Sequence, residues 1–384
     1  MTASSTSTTA WTITRAPVPP TLDHPDAWAL HGAVAVGLAV DRASWGYDDI
    51  AYTAQYLVTK LREQEYATRL RLVATPADLD GRTPSAQDVV GTAHVIMPRR
   101  GNEHLVEYSL VVHPEHRRAG AGRALLAEVE RIAAQHHRTT LIAESDHVGE
   151  PPATDPSALT PPTGSGRIAA DDPGAVFARF HGYALEQAER YSVLHLPVDG
   201  GVLDRLHAEA TGRAGTDYRL HAWTDRIPDE WAEQVAGLNT RMSTDAPMAD
   251  LDLEEDPWDV DRVRQAESDI ADAGHGYLLV AAEHVPSGVL AAFTMVEYPW
   301  DSPEVVFQDD TLVIREHRGR RLGMLVKAEM LRRLTALRPD ARRIHTWNAE
   351  ENAHMLGINV ALGFRPTGVA GLWQKKLDRA DPTA

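Results

Sequence analysis

One short segment of this chain occurs twice, and the repeat dictates its architecture. The first copy reads His-Pro-Glu-His-Arg-Arg-Ala-Gly-Ala-Gly-Arg from His113 to Arg123. The second reads Arg-Glu-His-Arg-Gly-Arg-Arg-Leu-Gly-Met from Arg315 to Met324. Glu115-His116-Arg117 returns as Glu316-His317-Arg318, 201 residues on in a chain of 384. Each copy follows a β-branched run, Leu110-Val111-Val112 or Leu312-Val313-Ile314. Each leads into apolar residues three and four apart: Leu125, Leu126, Val129 and Ile132, then Leu322, Leu325, Val326, Met330 and Leu334. That spacing predicts a helix with one buried face. Repetition at half-chain spacing implies duplication of a whole domain rather than a short solenoid repeat.

A strand that stops in a Gly/Arg turn and restarts as a helix presents unpaired backbone N–H groups. Together with the helix dipole and nearby guanidinium groups, they favour a phosphate or pyrophosphate. Gly120 and Gly122 in the first copy, and Gly319 and Gly323 in the second, let the backbone approach an anion closely. Arg117, Arg118 and Arg123, then Arg318, Arg320 and Arg321, supply the charge. Neither copy has the Gly-Lys-Ser/Thr of a Walker loop or the Gly-x-Gly-x-x-Gly of a dinucleotide site.

The composition is that of a globular protein, 43% hydrophobic and 24% charged,. The absence of cysteine excludes disulfides, thiolate catalysis and cysteine metal sites, and no metal is expected. No run approaches the roughly 20 apolar residues of a membrane span. A cytoplasmic location is expected, which the lack of cysteine permits without requiring. Met1–Ala10 is Ser/Thr/Ala-rich, lacks the pattern of a signal peptide and reads as a frayed tail,. A formal charge of −17 argues against nucleic acid and acidic membranes as partners and favours a cationic small molecule, although solubility alone would account for it.

Periodicity divides each half alike. The first half predicts a strand at Trp11, helices over 26–43 and 48–64, strands over 69–74, 89–97, 105–112 and 139–143, a helix over 175–181 and a last strand pair to Pro197. Residues 149–174 hold six prolines and read as a mobile insert outside the core. The second half predicts strands over 218–223, 277–282, 289–297, 305–314, 343–347 and 373–377. Its helices fall at 229–242, 257–273 and 351–362, besides the one after the loop. The expected domains are 11–199 and 217–384, joined by a linker over 200–216.

The pattern Arg117-x-x-Gly120-x-Gly122 resembles the acyl-coenzyme A pyrophosphate loop of the GNAT acetyltransferases. The second copy departs from it by placing Arg321 where the first glycine usually sits. Element order, both loops and the closing Gly182-Tyr183 and Gly363-Phe364 resemble two tandem GNAT domains, an α/β fold with a mixed sheet covering nearly the whole chain. Asp310-Thr-Leu-Val, the second loop, Thr346-Trp-Asn348, Asn352, Met355 and Asn359 make the second half the more specific match, to tandem GNAT proteins of actinobacterial type. The resemblance implies acetyl-CoA as cofactor. Its pantetheine arm would lie along Leu312, Val313 and Ile314, and its pyrophosphate on Arg318, Gly319, Arg320, Arg321, Leu322, Gly323 and Met324. Asn348 and Asn352 would also touch it. In the first half the matching positions are Val111, Val112, Arg117, Arg118, Ala119, Gly120, Ala121, Gly122 and Arg123.

The implied activity is N-acetylation of a small-molecule amine by direct attack on the thioester. Such a reaction needs a neutral amine, a stabilised oxyanion and a proton for the leaving thiolate. Many GNAT enzymes place a tyrosine acid four residues before the closing glycine, where this chain has Ala178 and Asn359. Asn359 can donate a hydrogen bond to sulfur but cannot act as an acid. Asp310, beside the loop strand, is the first candidate base and Glu297 the second. Asp309 would face the opposite side, and Glu107 and His113 are the first-half counterparts. The segment 245–272 carries eleven acidic residues and would form an acidic mouth for a cationic acceptor, or simply a solvated face. Chemistry is expected in the second half, with the first structural or cofactor-binding. A non-catalytic acyl-CoA sensor remains the alternative, and a nucleotide-phosphate enzyme would need metal-binding carboxylates by the loop. Oligomeric state is left open between monomer and homodimer.

Overall fold

A computed structural model describes residues 11–245 and 247–377, and the start read above as a frayed tail lies outside them. The elements begin with β1 (Trp11–Arg15), α1 (Trp28–Trp45), α2 (Ala54–Arg62), β2 (Ala67–Pro76), β3 (Gly91–Pro98), β4 (Leu105–Val112), α3 (Ala121–Gln135) and β5 (Thr140–Val148). They continue with α4 (Pro173–Phe180), β6 (Ala184–His195), α5 (Gly200–Ala214), β7 (Tyr218–Thr224), α6 (Asp229–Asp245), α7 (Val260–Asp272) and β8 (His275–His284). The last are β9 (Val289–Pro299), β10 (Val305–Val313), α8 (Leu322–Leu337), β11 (Arg343–Ala349), α9 (Ala353–Leu362) and β12 (Arg365–Lys376).

Two compact units result. One runs to Glu144 and takes in the stretch from Gln374; the other is Ser145–Trp373. In the first, β1, β2, β3 and β4 pair antiparallel in sequence order, and β4 pairs parallel with β5. Ala29, Leu30, Ala33 and Val36 of α1 pack with Leu57, Val58 and Leu61 of α2 around Val73. These are the three- and four-residue steps of buried helical faces.

In the second unit the strand order is β12-β6-β11-β10-β9-β8-β7. The segment expected to close the first half as a strand pair is one long strand, β6. It pairs antiparallel with β11, from His195 opposite Arg343 to Glu189 opposite Ala349. The expected linker over 200–216 is a helix, α5. Asp199 caps it by accepting from Val202 N–H at 2.9 Å, and Leu203, Leu206, Ala210 and Ala214 enter the same core as α8. Their spacing is amphipathic, which a boundary drawn from glycines overlooked. The Pro-rich insert is likewise packed. Leu159 and Ile168 form an antiparallel bridge, Ile168 is fully buried, and Arg167 pairs with Glu150 at 2.6 Å. Prolines there set turns; they do not prevent burial of the apolar residues between them.

Candidate active site

Both parallel strand pairs open. β4 and β5 stay in register only from Leu105–Thr140 to Tyr108–Ala143. β10 and β11 do so only from Val305–Arg343 to Phe307–His345. Beyond those points, the edge of β4 from Ser109 and of β10 from Gln308 has no ladder partner on that side among the described residues. Val111 and Leu312 bond their antiparallel partners Thr92 and Phe293, whereas the N–H groups of Val112 and Val313 face the open side, where an extended amide-bearing chain could accept from them. The side chains of Leu312 and Ile314 are buried in the core, and Ile314 N–H is taken by Ala291 O at 3.0 Å. The halves differ here: β3 and β4 pair without interruption, whereas the β9–β10 register shifts between Gln308 and Thr311. That bulge falls on Asp309 and Asp310 and re-aims their side chains.

The two loops are built alike. Each opens with a short 3-10 turn, Pro114–His116 or Arg315–His317. In each, an arginine reaches back to pin the end of its strand: Arg117 Nε donates to Val112 O at 3.3 Å, and Arg318 Nε to Val313 O at 3.1 Å. Each then takes two left-handed residues, at Arg118 (φ 63°) and Gly120 (φ 95°), and at Gly319 (φ 81°) and Arg321 (φ 57°). Glycine and arginine have exchanged places, so each loop holds one arginine in a conformation that costs an L-residue roughly 1–2 kcal/mol. Helices α3 and α8 start straight after. Neither has a side-chain cap, unlike α2, α4, α5, α7 and α9. The first-turn N–H groups of Ala121, Gly122 and Arg123, and of Leu322, Gly323 and Met324, are left to an outside acceptor. Gly323 also permits close packing, since a Cβ there would stand 3.0 Å from Ile358 Cδ1.

Their charge differs. In the second loop Arg315 Nε donates to Asp245 at 2.8 Å, Arg318 lies 3.7 Å from the same carboxylate, and Arg321 pairs with Glu209 at 3.1 Å. Arg320 keeps no carboxylate partner among the described residues. In the first loop Arg117, Arg118 and Arg123 are all exposed, and none has a carboxylate partner among the described residues. The carbonyl of Ala119 is occupied by the Trp11 indole N–H at 2.8 Å. The first loop is therefore the more electropositive cradle.

Asp310 is half-buried at the bulge, and burial pushes its carboxyl up to about 6. Glu297 is engaged elsewhere, 2.5 Å from His275 Nδ1 and opposite Phe307, before the strands part. His113 caps its own turn by accepting from Glu115 N–H at 3.3 Å. Asn352 accepts from Met355 N–H at 3.2 Å; it caps α9. Asn359 Nδ2 donates to Asn348 Oδ1 at 2.6 Å, which brings these two together across α9 and β11. The remaining oxygen of Asn359 is buried without a partner, a vacancy suited to a donor.

Much of the acidic 245–272 segment is spent internally. Asp256 is bidentate to Arg262, Glu267 takes Arg264, Tyr277 and Ile227 N–H, and Asp259 caps α7. Sequence reasoning missed a different acidic pair. Glu189 of β6, opposite Ala349, and Glu351, just past β11, lie at the end where β10 and β11 part. Burial, then the neighbouring Glu351, pushes the Glu189 carboxyl up to about 7. Glu351 accepts from Gln187 Nε2 at 2.6 Å on one oxygen, and its other oxygen is buried without a partner. Gln187 also donates to Pro247 O at 3.1 Å, fixing the α6–α7 connection beside the pair. The two glutamates are 162 residues apart, and only the β6–β11 pairing would have revealed them. Among the described residues no group of three or more His, Cys, Asp or Glu could hold a metal ion, and no helix is long and apolar enough to cross a membrane.

Comparison with known proteins agrees with this geometry. Residues 37–150 match the acetyltransferase (GNAT) family, so the family match falls in the first half, although the sequence features above favoured the second. No curated protein sequence matches the chain. Among solved structures, a tandem GNAT protein from the clavulanic acid biosynthesis pathway is 25% identical, with a TM-score of 0.71 over 97% of this chain and 100% of that one. A GCN5-related N-acetyltransferase from Sphaerobacter thermophilus is 14% identical, with a TM-score of 0.58 over 95% of both chains. The glucosamine N-acetyltransferase region of a fungal multi-domain β-N-acetylglucosaminidase is 12% identical, with a TM-score of 0.56 over 96% of this chain and 38% of that one. The last two share the fold.

Proposed function

We propose that this chain is a GNAT acetyltransferase, tandem in fold, that transfers an acetyl group from acetyl-CoA to the amine of a small cationic molecule. Chemistry is assigned to the second half, and a cofactor-binding or structural role to the first. The observation that carries the reading is Asp310. It sits at a bulge where two parallel strands part, with a carboxyl near 6, ionised at neutral pH yet more basic than an ordinary carboxylate. The residues present fit the cofactor: two helix starts without side-chain caps, arginines beside them, and strand edges free to bond an amide-bearing arm.

Acetyl-CoA supplies a thioester carbonyl with a thiolate leaving group. The first-turn N–H groups of α8, with Arg318 and Arg320, hold negative charge at the loop. The ion pairs to Asp245 and Glu209 involve exposed arginines, so each is worth at most about 1 kcal/mol and yields to a stronger anion. Glu189 and Glu351 draw the cationic part of the acceptor. Asp310 takes the proton that leaves the amine nitrogen, directly or through one water. Asn359, tied to Asn348, orients through its amide and has no proton to give as an acid.

Asn359 also motivates a second reading, an acyl-CoA sensor without turnover, because it stands where many GNAT enzymes carry a tyrosine acid. Calorimetric binding of coenzyme A, combined with thiol release from acetyl-CoA across mono-, di- and polyamines, separates the two. Amine-dependent release lost in Asp310→Ala supports the transferase. Tight binding with no release on any amine supports the sensor.

A further inference from the structure

Three side chains of the second unit form a relay that amine acetylation does not use. Ser145 and His147 stand two apart on β5, so they point to one side of the strand. Ser145 Oγ lies 2.7 Å from His147 Nε2, and His147 Nδ1 lies 3.1 Å from Asp172 Oδ1, within ion-pair distance but off the line of a hydrogen bond. Asp172 is itself fixed: it caps α4, accepting from Gly174 N–H at 2.8 Å. Burial favours its protonation, but the His147 contact and the N–H groups of Gly174 and Ala175 outweigh this and hold the carboxyl below its ordinary range. A fourth group sets the hydroxyl. The indole N–H of Trp373 donates to Ser145 Oγ at 2.7 Å, which directs the serine's own proton toward His147.

Access is graded in the same order. His147 is 3% exposed and Trp373 1%, whereas Ser145 is only half-buried. Two glycines let backbone pack closely beside it: a Cβ at Gly371 would crowd Ser145 Oγ at 3.3 Å, and one at Gly174 would crowd Ser145 Cβ at 3.3 Å.

We infer that Ser145, His147 and Asp172 form a nucleophile relay that accepts an acyl group from an activated ester or thioester. Serine, imidazole and carboxylate at these separations match the roles of a hydrolase triad, which is recognised by geometry rather than by fold. The Ser145 Oγ–acyl carbon bond forms as its proton passes to His147 Nε2. The carbon–oxygen or carbon–sulfur bond to the leaving group breaks, and His147 returns that proton to the departing phenolate or thiolate. Water then attacks the acyl-serine, giving its proton to His147, which passes it to Ser145 Oγ as the carboxylic acid leaves. The sum is hydrolysis of one acyl bond, with no other reactant.

The test uses the full chain with p-nitrophenyl acetate in one arm and acetyl-CoA in the other, quenched early and mapped by peptide mass spectrometry. An acetyl group on Ser145 in either arm is the expected result, and which arm yields it identifies the leaving group the site takes. Diisopropyl fluorophosphate should label Ser145 in the unaltered protein, which needs no variant to fold. Asp172→Asn should slow acylation by about 10⁴-fold, as misdirecting the imidazole tautomer does in such relays. His147→Ala should remove the adduct. Absence of label from all three reagents, or labelling of Ser145 unchanged in His147→Ala, would overturn the inference. Neither outcome bears on amine acetylation, which is read separately as the amine-dependent part of thiol release.

Discussion

Helix α8 carries a lysine where its counterpart in the first half carries leucine, and this sets up a sharp test of how the two units are built. Lys327 is 1% exposed and Leu126, at the equivalent position 201 residues earlier, is also 1% exposed. The Lys327 nitrogen has the Phe364 ring centre at 5.4 Å and no carboxylate within ion-pair distance among the described residues. Burial pulls its pKa from 10.5 down to about 7. Between those values the unfolded chain holds a proton that the folded chain lacks, so stability rises with pH across the window and is lost as pH falls toward 7. At about 1.4 kcal/mol per pH unit, the penalty is roughly 4 kcal/mol at pH 7.5 and roughly 1 kcal/mol at pH 9.5. Lys327→Met keeps the unbranched stem and removes the charge. Urea unfolding of both proteins at the two pH values should show the variant more stable by about 4 kcal/mol at pH 7.5. The gap should shrink to about 1 kcal/mol at pH 9.5. A variant less stable than the parent at pH 7.5, or a gap independent of pH, would refute the reasoning.

Asp310→Asn should lower kcat by about 10²–10⁴-fold and abolish the rise in rate through pH 6 expected of a base with a carboxyl near 6; a pH–rate profile checks both. Arg118→Ala should weaken coenzyme A binding by roughly 10-fold and flatten its salt dependence. Arg315→Ala, whose guanidinium is already committed to Asp245, should change binding by less than about threefold, as titration at two ionic strengths would show. Gly120→Ala should destabilise by roughly 1–2 kcal/mol, because the added Cβ has room beside Trp11 at 3.6 Å but φ is +95°; denaturant midpoints report it. Glu189→Gln should reduce any preference for diamines over neutral-tailed monoamines by about 10-fold, read as the ratio of kcat/KM values.

What could be read from the sequence was local. The strand–loop–helix units were legible because the signals that make them, β-branched runs, glycines at tight turns and apolar steps of three and four, act within a dozen residues. Arg117 and Arg318 pin equivalent strand ends, and Gly120 and Arg321 take equivalent left-handed positions, because the offset of 201 is kept through both loops. What was hidden depends on partners distant in sequence. β6 looked like the last strand of its own half, yet its hydrogen bonds go to β11, and only that pairing places Glu189 near Glu351. Lys327 reads as one polar step in an amphipathic helix until α8 is found buried on nearly every side. The Ser145 relay draws its carboxylate from the Pro-rich stretch read as mobile. Asn352 shows the reverse: its helix-start position alone announced the cap it forms.

The central claim is that acetyl transfer to an amine occurs in the second half. Incubating the protein with isotopically labelled acetyl-CoA and a panel of amines, then assaying the amines by mass spectrometry, tests it directly. The account predicts labelled N-acetyl amine from the parent protein and from Arg118→Ala at saturating cofactor, and almost none from Asp310→Asn. No labelled amine from any acceptor, or full product from Asp310→Asn with loss in Arg118→Ala, would contradict it.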